Sequence, residues 1–150
     1  MTISPDVDRR AKAIAEHMHR AEKTSAAFDL KLVDAGKGRA SASMKIRDDM
    51  VNGHGVAHGG FIFLLADTAF AWACNSTNVV TFAQNATISF LSKVEVGEVL
   101  TAEAKEDALV GRTGVYTVRV TSDDGRTVAV FQGLSRTAGG AIIEEERTSQ

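Results

Sequence analysis

HGGFIFLLADTAFAWACN, residues His58 to Asn75, is the stretch on which the fold turns. From Gly59 to about Asn75, Phe, Ile, Leu, Ala and Trp occur almost all the way round a helical projection, so a helix here has no solvent face and has to be wrapped on most sides. Its strongly apolar part, Phe61 to Cys74, is interrupted by Asp67 and Thr68 and is shorter than the roughly 20 residues that cross a bilayer. The segment therefore reads as a core element and not as a membrane anchor.

The flanks supply the wrapping. Upstream, Asp6 to about Glu22 places Val7, Ile14 and Met18 near one face of a surface helix that would serve as a peripheral lid or strut. Phe28 to Val33 and Gly38 to Ile46 read as two strands of a hairpin around Asp34-Ala35-Gly36-Lys37. In the second strand Ala40, Ala42, Met44 and Ile46 alternate with Arg39, Ser41, Ser43 and Lys45, the mark of a sheet with one buried and one wet face. A polar loop, Arg47 to Ala57, then delivers the chain to His58.

Downstream, four β-like segments, Val79 to Leu91, Val99 to Asp107, Thr113 to Thr121 and Thr127 to Arg136, are separated by Val96-Gly97, Leu109 to Arg112 and Asp123-Asp124-Gly125. There is no βα alternation and so no parallel sheet is expected. The order predicts an α+β fold in which one antiparallel sheet curls around a central buried helix. The tail, Gly139 to Gln150, offers little to bury and is expected to fray.

Composition narrows the function. A chain of 150 residues with 44% hydrophobic content suits one domain spanning residues 1–150. The 17 Lys and Arg against 19 Asp and Glu, without a basic run, argue against nucleic acid or a membrane surface as partner. Cys74 is the single cysteine, and the N-terminus lacks the basic-then-apolar pattern of a secretory signal, so a reducing cytoplasm is the expected setting.

Asp67 is the residue that carries chemistry. It sits between Phe63-Leu64-Leu65-Ala66 and Phe70-Ala71-Trp72, and no Lys or Arg occurs between Arg47 and Lys93. Stripping a carboxylate of water without a compensating cation costs several kcal/mol. Two readings of Asp67 stand: it bonds to backbone at a break in the helix, or it is a general base or nucleophile tuned by apolar surroundings. The missing cation favours the second. Gly59 and Gly60, after His58, leave backbone N–H groups unobstructed at a helix start, which attracts negative charge, although glycines there also serve as a simple tight turn.

At about 1.5 Å per residue, Gly59 and Asp67 lie about 12 Å apart along one helix, too far for one carbonyl to meet both. A single reaction centre then needs the helix start of one subunit to face Asp67 of another, as in a two-fold dimer with two equivalent sites. An N–H donor opposite a carboxylate, with neither metal nor cysteine nucleophile, suits hydrolysis of an activated acyl group such as a thioester.

Rival motifs are weaker. His54 and His58 have metal-ligand spacing but lack the intervening Glu and a third ligand. Gly53-His54-Gly55-Val56-Ala57-His58 fails the dinucleotide fingerprint at its third glycine and has no βαβ unit around it. Cys74 has no basic neighbour in sequence and reads as a buried inert thiol, and His17 and His19 read as surface residues.

Taken together, Asn52-Gly53-His54, His58-Gly59-Gly60, Leu65-Ala66-Asp67-Thr68-Ala69-Phe70-Ala71 and Ala73-Cys74-Asn75-Ser76 resemble the phenylacetate-pathway branch of hotdog-fold acyl-CoA thioesterases. The likeness continues through Thr87-Ile88-Ser89-Phe90-Leu91, Gly114-Val115-Tyr116 and Phe131-Gln132-Gly133. It implies a hotdog fold, dimers that pair into tetramers, and hydrolysis of acyl-CoA, with coenzyme A arriving as part of the substrate and no other cofactor. By motif position it makes Asp67 the nucleophile or the base for water, Gly59 the donor to the carbonyl, and Asn52 and His58 the groups that orient substrate and water.

Gly60, Lys93, Arg112 and Arg136 are further candidates for substrate binding, the three cations because they lie near strand ends and could meet an anionic nucleotide. Ser92-Lys93 departs from similar sequences, which often carry Pro there. Phe61, Phe63 and Phe70 are the candidate acyl pocket for an aryl- or arylacetyl-CoA. A non-catalytic acyl-CoA binding module and an enoyl-CoA hydratase are the alternatives.

Overall fold

The computed structural model describes residues 5–145. Helix α1 (Pro5–Ala21) and the short helix α2 (Lys23–Ala27) precede β1 (Lys31–Gly36) and β2 (Arg39–Lys45). A 3-10 turn at Asp48–Met50 leads to α3 (Gly59–Cys74), followed by β3 (Thr81–Phe90), β4 (Val99–Val110), β5 (Thr113–Ser122) and β6 (Thr127–Thr137). The strands form one antiparallel sheet in the order β1-β2-β4-β5-β6-β3. This is the hotdog arrangement, with α3 packed against all six strands.

The residues of α3 explain why the sheet curls. Ile62, Leu65, Ala66, Ala69, Phe70 and Ala73 are buried at helical spacing, and small residues among them let the sheet approach closely. Facing them, β2 buries Ala40, Ala42 and Met44, and β5 buries Val118 and Val120. Phe70 lies flat against β6 at Gly133, where a Cβ would come within 2.7 Å of its ring, so this strand position has room only for hydrogen. Trp72, on the other side of α3, is fully buried, and its Nε1 donates to Glu22 across 3.2 Å.

Four local expectations need correction. The first strand begins at Lys31, not Phe28, because Phe28 caps α2, and the strand runs on to Gly36 so that the turn is only Lys37-Gly38. β4 extends to Val110, because a bulge between Glu106 and Ala108 carries the hairpin with β5 past the core, where alternation in burial stops. His19 is not an ordinary surface residue: its Nε2 lies 2.7 Å from the Leu30 carbonyl and its ring packs edge-on to Trp72. Finally, residues 139–145 are bonded to the body of the fold, which their composition did not signal. Val80 donates to the Gly140 carbonyl, Asn78 binds the backbone of Ile142 and Ile143, and Arg10 pairs with Glu145. The remainder of the tail, 146–150, lies outside the described residues.

Candidate active site

α3 starts with His58 as its N-cap, whose Nδ1 accepts the Gly60 N–H at 3.0 Å. That bond fixes the neutral imidazole with its proton on Nε2. It also takes Gly60 out of the set of free donors, which leaves the Gly59 N–H as the uncommitted amide at the start of α3. The Phe90 ring lies over Gly59, close enough that a Cβ there would come within 2.9 Å of it. Asn52 stands beside them: its Oδ1 accepts the His54 N–H at 2.9 Å, so its Nδ2 remains available to donate. Asn52, Gly59, Ile62, Phe90, Leu91 and Lys93 line one cavity of about 480 Å³.

Asp67 belongs to a second cavity of about 310 Å³, walled by Phe70, Val80, Phe82, Met18 and Ile142. The helix is unbroken through Asp67, and among the described residues the carboxylate has neither a hydrogen-bond partner nor a cation. A role at a helix break is thereby removed. Burial pushes the carboxyl above the ordinary aspartate range, and the negative charge of Glu22 pushes it further the same way. Glu22 is held in place by two donors, accepting from Trp72 Nε1 and, at 2.7 Å, from the Ser25 hydroxyl. Cys74 lines the same cavity, but burial drives its thiol up to about 12, so it stays protonated and unreactive near neutral pH.

The two cavities share no lining residue, yet both open beside β3, one of the two edge strands. Phe90 sits at one and Phe82 at the other, 51% and 62% exposed, about 27 Å apart at roughly 3.4 Å per residue. The cationic candidates divide likewise. Lys93 lines the Gly59 cavity, whereas Arg136 pairs in register with Phe82 at the opposite end of the strand, and Arg112 stands at the exposed β4–β5 turn nearby. One chain does not bring these three together.

Of the phenylalanines read as an acyl pocket, only Phe70 reaches Asp67. Phe61 packs edge-to-face with Phe28 and Phe63 with Phe131, at ring centroids 5.2 and 5.3 Å apart. The sequence reading missed Phe82, Met18, Ile142 and Glu22. Phe82 was legible as an apolar residue on a strand otherwise polar around it, whereas the other three enter through tertiary contacts with no local signal.

The likeness to known proteins defines the family. The sequence model of the Thioesterase superfamily matches residues 54–129, which include both Gly59 and Asp67. The chain belongs to that superfamily: it is a hotdog thioesterase, a thioester hydrolase by family. Among its relatives is the acyl-coenzyme A thioesterase PaaI of Escherichia coli, 37% identical over 131 residues that cover 87% of this chain and 94% of the relative. The solved structure of the E. coli PaaI protein from the phenylacetic acid degradation operon superposes with a TM-score of 0.88 at 36% identity, covering 90% of this chain and 98% of that one. A Streptococcus mutans protein solved bound to acetyl CoA superposes with a TM-score of 0.72 at 25% identity, over 75% of this chain and 90% of that one.

Proposed function

We propose that this chain hydrolyses acyl-CoA thioesters to free acid and coenzyme A, with phenylacetyl-CoA or a related aryl(acetyl)-CoA as substrate, at two composite sites of a two-fold dimer. The observation that carries this is the separation of an unpartnered Asp67 carboxylate and an unpartnered Gly59 N–H into two cavities at opposite ends of one open edge strand. Antiparallel pairing of β3 with its copy sets the Phe90 end of one chain against the Phe82 end of the other. Each Gly59 then faces the partner's Asp67.

In that site the Gly59 N–H, at the positive end of α3, donates to the thioester carbonyl oxygen and stabilises the charge that develops on it. Asp67 either attacks the carbonyl carbon, expelling coenzyme A thiolate and leaving a mixed anhydride that water cleaves, or takes a proton from the water that attacks. Asn52 Nδ2 and His58 Nε2 orient substrate and water. Lys93 of one chain, with Arg112 and Arg136 of the other, offers cations to the nucleotide phosphates. Dimers pair further into tetramers, and the protein works in the cytoplasm without a cofactor of its own. Among the described residues no helix is long and apolar enough to cross a membrane.

The test is release of coenzyme A thiol from phenylacetyl-CoA and from a straight-chain acyl-CoA panel, with Asp67→Asn alongside. Release that depends on Asp67 supports the assignment. A folded, dimeric protein that releases no thiol from any substrate would be an acyl-CoA binding module instead.

A further inference from the structure

The Asp67 cavity has a back wall that comes from neither the sheet nor α3. Met18 reaches in from α1, and Ile142 from the segment after β6. That segment is tied at three points. Val80 donates to the Gly140 carbonyl at 2.9 Å. Asn78, 7% exposed, accepts the N–H groups of Ile142 and Ile143 at 3.0 and 2.9 Å and donates to the Ile143 carbonyl at 2.9 Å. Beyond it, Arg10 of α1 pairs with Glu145. Asn78 holds φ at 65°, a left-handed conformation that asparagine tolerates better than most residues, and all of its side-chain hydrogen bonds go to this segment.

We propose that Gly139–Ile143, strapped down by Asn78, forms with Met18 the wall that sets the size of the acyl group, admitting compact arylacetyl groups and excluding long fatty chains. This rests on the thioesterase reading above and takes the acyl group to enter the cavity beside Asp67. At about 310 Å³ the cavity is at the small end for ligand pockets, and its lining is apolar apart from Asp67 and a few hydroxyl and amide groups. A long chain running toward this wall meets Ile142 and Met18. Ile142 is therefore a specificity-determining residue, and Asn78 a positioning residue that acts through it.

The experiment measures kcat/KM for phenylacetyl-CoA and decanoyl-CoA in wild type, Ile142→Ala, Ile142→Trp and Asn78→Gly. Glycine keeps the left-handed backbone permitted while removing all three strap bonds. Ile142→Ala and Asn78→Gly are expected to raise the decanoyl-to-phenylacetyl ratio by about tenfold or more, the scale on which an apolar pocket discriminates. Ile142→Trp is expected to lower it. A ratio within about twofold of wild type in both Ile142→Ala and Ile142→Trp overturns the wall while leaving the hydrolase intact. Should wild type release no thiol, the hydrolase reading falls. The ratio of dissociation constants for the same two acyl-CoAs, on the same variants, then decides the wall by the same criterion.

Discussion

The cavity at Gly59 and the cavity at Asp67 border the same edge strand and are made of different material. The first is built from backbone: an amide at a helix start, an N-cap that disposes of the next amide, and a glycine whose missing Cβ makes room for the Phe90 ring. The second is built from side chains contributed by α1, α3, β3 and the segment after β6, around a carboxylate kept short of water and of cations. A backbone donor is insensitive to most substitutions but vulnerable to one that deletes the N–H. A desolvated carboxylate depends on its whole surroundings and stores destabilisation in the folded state.

Deleting each half sharpens that contrast most. Gly59→Pro removes the amide with a backbone suited to the first helical position, since His58 already has the extended φ −64° and ψ 132° that a residue before proline adopts, and its Cβ requires the Phe90 ring to shift. Its kcat is expected to fall about 10²–10³-fold, the scale for loss of one oxyanion donor. Asp67→Asn is expected to lose about 10²-fold or more with its fold intact. Near wild-type turnover in either variant would break the pairing of the two halves.

Mixing the two inactive variants tests whether the halves meet across subunits. Random exchange gives heterodimers in half the population, each with one intact site, so activity should recover to about a quarter of wild type. Recovery no greater than the sum of the parents would place both halves in one chain.

Two smaller effects concern the carboxylate alone. Because burial raises the Asp67 pKa above its unfolded value, the folded state binds the proton more tightly, and stability falls as pH rises through that raised value. Asp67→Asn should therefore melt about 2 °C or more above wild type at pH 7 and lose that advantage at pH 3, measurable by calorimetry. In Glu22→Gln, loss of the neighbouring negative charge should move the acid limb of kcat/KM to lower pH. An unmoved limb would mean that burial alone sets the proton affinity of Asp67.

Much of the fold could be read because its strongest signals are local. The all-round apolarity of Phe61 to Cys74 required an enclosing sheet, and the alternation from Arg39 to Ile46 said which side of a strand faces it. The Gly59 half was equally legible, since backbone geometry at a helix start follows from its few flanking residues. Asp67 itself was legible as a carboxylate without a local partner. Its cavity was not, because Met18, Phe82 and Ile142 meet there from three distant parts of the chain. The phenylalanines nearest in sequence misled because a helix turns most of them elsewhere: Phe61 toward Phe28 and Phe63 toward Phe131. Bulges shift strand ends in the same unannounced way, as at Glu106 to Ala108.

Trp72 is the single indole of the chain, sealed from solvent, hydrogen-bonded to Glu22 and touched edge-on by His19. The molecule thus carries its own optical reporter at the joint between the peripheral helices and the central helix. Undocking of α1 would bare the indole and redden its emission without any attached dye, and the same light would follow whether Glu22 still stands where Asp67 can feel it.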